Sequence, residues 1–381
     1  MQTLYGKISN KYCKFVPRYN KKVKIAMTLH IFNPEHDLAM ACNITNFTAP
    51  HAARILRSGL GFLPALWANP GDAVLVEDAD YAAKAYKKLA GKDLCKPAGI
   101  NFVEDFELES LPINNIEVWG WDPAVRNSLI RHGVNKALMP TLEQIDKIRL
   151  LSHRSLAKDV LASLRQLPDT VGCAFECNTV SEIAELEAEY GQIVVKAPWS
   201  SSGRGLRFVD DSNVNEEHLL GWLKNMLKAQ GSLMVEPYLK KVKDFGMEFF
   251  SDGEGNVTYC GLSLFQTVNG AYTGNILATE RAKEEMINRY IPSSLLYLVK
   301  ANIKTFLGSR FKGSYRGPFG IDMMVVARED KDGFLLNPCV EINLRRTMGH
   351  VALSLSPDDD DIKRVMRVET DENYQLKIKK L

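Results

Sequence analysis

The chain reads as a mixed α/β and α+β protein, and three observations predict this. Between residues 28 and 140, short apolar runs alternate with helical patterns, as in a small α/β sheet domain. Between 141 and 190 the pattern is mostly helical. After 190, strand-like alternations return in pairs, and the last pair carries acids on one face.

Residues 1–26 hold seven Lys and Arg, no acid and no apolar centre, so they read as a basic flexible extension rather than a secretory signal. A nucleic-acid arm is the alternative, and Met27 is a candidate start. The first strand is Thr28-Leu-His-Ile-Phe32, followed by the loop Asn33-Pro-Glu35-His36-Asp37. Polar residues at a strand's carboxyl end often line a site, although Asn, Pro and Asp also make plain turns. Ala73–Val76 and Ile116–Trp119 read as further strands, Ala49–Leu60 and Pro123–His132 as helices.

Leu156, Val160, Leu161 and Leu164 mark one apolar helical stripe. Thr179-Val-Ser-Glu182 is a capping box, and Gly191 ends the helix that it starts. Gln192-Ile-Val-Val-Lys196 is a strand that closes on a lysine. The loop Ser200-Ser-Ser-Gly203-Arg204-Gly205 follows, then a second strand. Small residues let backbone N–H groups close around phosphate oxygens, and a lysine ending an apolar strand needs an anion to meet it. A flexible hairpin with a snorkelling lysine is the plainer reading. No GxxxxGK[ST] occurs, and no helix follows as a dinucleotide fingerprint requires.

Ser232-Leu-Met-Val-Glu236-Pro is a strand ending on a carboxylate and a proline. Asp244–Phe250 and Val257–Cys260 form a hairpin across Asp252–Gly255. Residues 281–307 read as one helix. Gly320-Ile-Asp322-Met-Met-Val-Val326 and Val340-Glu341-Ile-Asn343-Leu-Arg345 then pair across the turn Arg328–Gly333. A loop at Lys331-Asp332 puts Asp322 opposite Glu341; a loop at Asp332-Gly333 puts it opposite Asn343. Two carboxylates about 5 Å apart repel by roughly 3 kcal/mol at an effective dielectric near 20. A divalent cation reverses that sign, and hard oxygen donors suit Mg²⁺. A solvated polar face is the bland alternative. The acidic run Asp358–Asp361 and the tail beyond it read as solvated.

Net charge is +2 from 48 basic and 46 acidic residues, so nothing drives the chain onto nucleic acid or a membrane. The longest apolar run, Gly59–Ala68, is too short to span a bilayer. Seven scattered cysteines without a CxxC pair read as reduced thiols in a cytoplasmic protein.

The order of Lys196, the Ser/Gly loop, Glu236-Pro-Tyr238-Leu239, Tyr315-Arg316-Gly, Asp322 and Glu341-Ile-Asn343-Leu-Arg345 resembles the ATP-grasp superfamily, in particular its carboxylate–amine ligase and biotin carboxylase branches. The resemblance covers residues 145–355. It implies an N-terminal α/β (pre-ATP-grasp-like) domain over 27–140, a first ATP-grasp subdomain over 141–235, a second over 236–355, and a tail over 356–381. It implies that ATP meets Arg154, Lys196, Ser201, Ser202, Gly203, Arg204, Gly205, Glu236, Tyr238 and Leu239. Mg²⁺, usually two ions and with Mn²⁺ as a substitute, would be held by Asp322, Glu341 and Asn343. Arg345 and Lys196 would act on the transferred phosphate. Asn33, Glu35, His36 and Arg316 are the substrate candidates. The implied activity is an ADP-forming ligase joining a small-molecule carboxylate to an amine, or to a thiol, through an acyl phosphate, with a homodimer allowed. A small-molecule kinase and a non-catalytic ATP sensor are the alternatives. Pro198, Trp199 and the three serines depart from the all-glycine form of the lid. No biotinyl-lysine segment and no amidotransferase nucleophile motif is present.

Overall fold

A computed structural model describes residues 27–90, 99–200, 205–268, 271–370 and 373–381. The sequence readings of the basic extension and of Ser201, Ser202, Gly203 and Arg204 lie outside the described residues.

The N-terminal unit is an open parallel sheet. Strands β1 (Met27–Ile31), β2 (Ala73–Leu75), β3 (Asn101–Val103) and β4 (Ile113–Val118) lie in the order β3-β2-β1-β4, all parallel. Helices α1 (His36–Cys42), α2 (His51–Leu60), α3 (Ala79–Ala90) and α4 (Pro123–Arg131) accompany it. Asp122 caps α4 by accepting from the Ala124 and Val125 N–H groups, and Pro123 stands where the first-turn N–H would be unused.

Helices α5 (Leu142–Leu151) and α6 (Ser155–Leu164) lead into the second unit. Its antiparallel sheet runs β5 (Phe175–Cys177), β8 (Leu233–Pro237), β6 (Gln192–Lys196) and β7 (Leu206–Asp210). Helices α7 (Val180–Tyr190) and α8 (Glu217–Gln230) cover one face, with Ile183, Leu219 and Leu223 buried against Ile193 and Val235. The capping box at Thr179 and Glu182 forms, and Gly191 closes α7 at φ 75°.

The third unit is built on two antiparallel sheets. One orders β10 (Val257–Ser263), β9 (Lys241–Ser251), β13 (Gly317–Ala327) and β14 (Phe334–Asn343). Helices α9 (Glu280–Ile287) and α10 (Ser293–Phe311) follow the other sheet's first two strands. The span predicted as one helix over 281–307 is thus two, because Pro292 cannot continue α9 and instead sits at the N-cap of α10. The α10 stripe Val299, Ile303, Leu307 and Phe311 is fully buried together with Phe245, Phe249 and Phe319, the last two rings stacked at 5.2 Å.

The second sheet corrects the reading of the C-terminus. Strands β11 (Phe265–Val268), β12 (Ala271–Leu277), β15 (Arg364–Thr370) and β16 (Tyr374–Lys380) pair in that order. The stretch read as a solvated tail is therefore a hairpin. Met366 is fully buried, and Val368, Tyr374, Leu376 and Ile378 pack on the N-terminal domain core. The acidic run is held as well: Asp360 accepts from Thr279 and Arg281. Helix α11 (Met348–Leu355) fills the angle between this sheet and the N-terminal unit.

Candidate active site

The second and third units face each other across a cleft of about 400 Å³ that runs from Phe208 and Tyr238 at one end to Glu248 and Gly349 at the other. At the first end β6 and β8 pair with Val194 opposite Glu236. The Lys196 ammonium is buried and donates to Glu236 Oε1 at 2.5 Å. The anion that the strand-closing lysine needs is thus Glu236 in this structure. Beyond the pair, Val194, Leu206, Phe208, Tyr238, Leu239, Met324 and Val340 form an apolar slot. Phe208 and Tyr238 are both largely exposed and sit edge to face at 6.1 Å. Exposed aromatics facing each other across an apolar slot suit a flat ring.

At the other end the late strand pair carries the acids. Asp322 lies directly opposite Glu341, the first of the two registers that the sequence allowed. The route differs from a tight two-residue loop. The turn spans Arg328 to Gly333, and a bulge after Asp322 returns the register, so that Met324 faces Asn337. Asn343, two residues on, shares the face and donates to Asp322 Oδ2 at 3.1 Å. Asn343 Oδ1 accepts from Arg345 Nη2 at 2.9 Å.

Two arginines join these acids to the other units. Arg154, at the N-cap of α6, donates to Glu341 Oε1 at 2.6 Å, to the Ala197 carbonyl at 2.5 Å and to Ser200 Oγ at 2.9 Å. Arg345 makes a bidentate pair with Asp37, Nε to Oδ1 at 2.8 Å and Nη2 to Oδ2 at 2.7 Å. Burial alone would push the Asp37 carboxyl up, but the Arg345 charge and hydrogen bonds outweigh it and hold Asp37 below the usual range. Burial likewise opposes the Arg345 charge, and Asp37 raises it above its ordinary value. Burial first, and then the Glu341 charge, push the Asp322 carboxyl up to about 7.

That raised value tests the metal reading. It records burial first and the Glu341 charge second, and a divalent cation would relieve the second. Among the described residues no three His, Cys, Asp or Glu side chains form a metal cluster. Asp322 and Glu341 fit as a carboxylate pair for Mg²⁺, with the second Glu341 oxygen unpartnered among the described residues. Asn343 turns its nitrogen, not its oxygen, toward Asp322, so it joins them only with its amide reversed and Arg345 released.

The substrate candidates divide. His36 borders a small pocket shared with Asp37, Arg154, Ser200, Glu341 and Asn343. Asn33 is buried and donates to the Gly120 carbonyl and to Asp122, a scaffolding role. Glu35 pairs with Arg57 at 2.5 Å and borders a separate cavity within the N-terminal unit. Arg316 lines another cavity, between Trp119 and Gly313–Pro318, and not the cleft. The stem of the loop that follows Lys196 is anchored: Trp199 is buried, donates from Nε1 to the Arg149 carbonyl at 3.1 Å, and lies under the Arg149 guanidinium at 3.7 Å.

Sequence reasoning missed Phe208, Asp244 and Glu248, which border the cleft, and named Asp37 only as part of the loop after the first strand, not as the partner of Arg345. Phe208 carried a signal, since it alternates outward beside Val209 on a strand that follows the Ser/Gly loop. The pairing of Asp37 carried none, because its partner Arg345 is 308 residues away.

No protein-family model and no curated protein matches the chain. Among solved structures it is similar to N5-carboxyaminoimidazole synthetase from Staphylococcus aureus complexed with ADP, at 14% identity and TM-score 0.47, over 91% of this chain and 83% of that one. It is similar to biotin carboxylase from Campylobacter jejuni in a complex with a β,γ-ATP ligand, at 14% identity and TM-score 0.48, over 91% and 77%. It is similar to the biotin carboxylase domain of Hydrogenobacter thermophilus 2-oxoglutarate carboxylase, in complex with MgADP, ADP and bicarbonate, at 14% identity and TM-score 0.47, over 90% and 74%. The chain itself has a parallel N-terminal sheet and two α+β units facing each other across a cleft.

Proposed function

We propose that this protein is an ATP-dependent carboxylate–amine ligase that works through an acyl phosphate and releases ADP and phosphate. One observation carries the reading. A single cleft lines up an apolar slot for a base, the cations Lys196 and Arg154, the acid pair Asp322 and Glu341, and the fixed cation Arg345.

A carboxylate is a poor acyl donor because its leaving group would be an oxide. In the first step a substrate carboxylate oxygen attacks the γ-phosphorus; that O–P bond forms, the β,γ-bridging P–O bond breaks, and ADP leaves. In the second step an amine attacks the carbonyl carbon, the C–N bond forms and phosphate departs. Mg²⁺ bound at Asp322 and Glu341 would neutralise charge on the transferring group. Arg345 is pre-oriented by Asp37, so its charge is in place before the reaction and needs no reorganisation. Arg154 ties Glu341 to the stem of the phosphate loop through Ser200, which sets the distance between acid pair and loop.

The test is product identity. Incubating the protein with Mg-ATP and defined pools of carboxylates and amines should release ADP and phosphate only when a carboxylate is present. Arg345→Ala should lower the rate by about 100-fold, the usual cost of one pre-organised charge contact. AMP with pyrophosphate, or a stable phosphorylated alcohol in stoichiometric yield, would overturn the ligase reading.

A further inference from the structure

A histidine outside the acid pair is built as a proton acceptor. His36 Nδ1 lies 3.2 Å from Asp122 Oδ2, and both side chains are buried. Asp122 itself is over-determined: Oδ1 accepts from the Ala124 and Val125 N–H groups at the start of α4, and Oδ2 also accepts from Asn33 Nδ2 at 2.9 Å. A carboxylate with three other donors can only accept from the ring, so Nδ1 carries the hydrogen, and in the neutral ring the lone pair is then on Nε2. Nε2 has no partner among the described residues. Gly120 packs flat on the ring; a Cβ there would come within 2.6 Å of its carbons, so only glycine lets the imidazole sit in this plane.

The position of the ring gives the dyad a use. The pocket that His36 shares with Asp37, Arg154, Ser200, Glu341 and Asn343 measures about 20 Å³. That is room for one group the size of water or ammonia. It adjoins Asp37 and Glu341, the partners of Arg345 and Arg154, and so lies beside the two cations that would hold the acyl phosphate.

Resting on the ligase reading, we propose that His36, oriented by Asp122, accepts the proton from the attacking amine, and that the acceptor substrate is ammonia or a primary amine whose nitrogen enters this pocket. The nitrogen lone pair attacks the carbonyl carbon of the acyl phosphate. The C–N bond forms, the C–O bond to phosphate breaks, phosphate leaves with that electron pair, and the displaced N–H proton passes to His36 Nε2. A secondary or tertiary amine does not fit a space of this size.

Hydroxylamine separates the steps, because it is uncharged at neutral pH and gives hydroxamate without a base. The carboxylate pool is offered with hydroxylamine or with ammonium chloride as acceptor. His36→Asn keeps a donor to Asp122 near the Nδ1 position and removes Nε2. Asp122→Asn keeps the α4 cap but turns an amide N–H toward the ring and so moves the proton to Nε2. Each variant should cut the amide-to-hydroxamate ratio by about 100-fold, the usual worth of a general base. An equal loss of both products in both variants, or an unchanged ratio, would overturn the role of His36 and leave the ligase reading standing. A wild-type protein that makes neither ADP nor hydroxamate would overturn the ligase reading, and the dyad's role with it.

Discussion

Glu341 stands between a cation and an acid. Its Oε1 is taken by Arg154 at 2.6 Å, and its strand partner is Asp322. Glu341→Gln keeps the shape and removes the charge that a divalent cation needs, so ATP turnover should fall at least about 100-fold while the protein stays folded. Turnover within twofold of wild type would remove Glu341 from the metal site. A second acid, Glu248, predicts a pH effect. Its carboxyl is pushed up to about 8, by burial first and then by the Asp322 charge, against the Thr347 hydrogen bond. It lies 3.0 Å from His350 Nδ1, whose own value burial pushes down to about 3. The folded state therefore holds a Glu248 proton that the unfolded chain loses near its ordinary value of 4.5, and stability falls as pH rises from there to about 8. His350 works in the opposite sense below its ordinary 6.5, so the readable window is pH 6.5 to 8. There the wild type should lose up to about 2 kcal/mol, a few degrees of Tm. Glu248→Gln, which stays neutral and can still donate to His350, should lose less; an equal slope would show that Glu248 is not the group responsible. At this scale the sequence was informative wherever chemistry is local in the chain. Lys196, Asp322 and Glu341 could be named from their strands and spacing, and Arg154 only through the family resemblance. Asp37, Asp122 and Glu248 could not, because each acquires its meaning from a partner brought by folding.

Elements were legible where period and punctuation agreed. The capping box before α7, the strand closing on Lys196 and the alternation through Asn343 all fold as read. The C-terminal hairpin had the same signal: Tyr374, Leu376 and Ile378 alternate with Gln375, Lys377 and Lys379. It was overlooked because an acidic run precedes it and its polar face is dense in lysine. The register of β13 and β14 was legible only as two options, because a bulge is a backbone event that the side-chain pattern does not encode. The hairpin's docking is itself testable. Gly59 on α2 faces Tyr374 so closely that a Cβ would come 2.4 Å from the Tyr374 carbonyl oxygen. Gly59→Ala would raise helix propensity by up to about 1 kcal/mol in an open helix. Here overpacking against backbone should win and cost about 1–3 kcal/mol net. A urea midpoint equal to or above wild type would show that β16 does not bear on α2.

Apolar clusters join the units away from the cleft, and charges join them beside it. Asp37 of the N-terminal unit grips Arg345 of the third, and Arg154 before α6 grips Glu341 of the third while reaching Ser200 of the second. A ligand that fills the cleft touches the second and third units directly, reaches the N-terminal unit through Arg345 and Asp37, and should stabilise the fold. With Mg-ATP at 100 times its Kd, the expected gain is about 2.7 kcal/mol, visible as a rise in Tm. Lys196 decides how much of that gain is phosphate binding. In this structure its ammonium is neutralised by Glu236 at 2.5 Å, so contacting a phosphate requires it to share or leave that partner. Lys196→Ala alone is ambiguous, because it strands a buried carboxylate and lowers the ligand-free Tm as well. Lys196→Ala with Glu236→Gln removes that charge imbalance. If Lys196 meets the phosphates, both the single and the double variant should lose most of the Mg-ATP shift, measured each against its own ligand-free Tm. If the lysine only holds Glu236 in place at the slot, the double variant should recover the shift that the single variant loses, and the phosphates would then belong to Arg154 and the loop beyond Ser200.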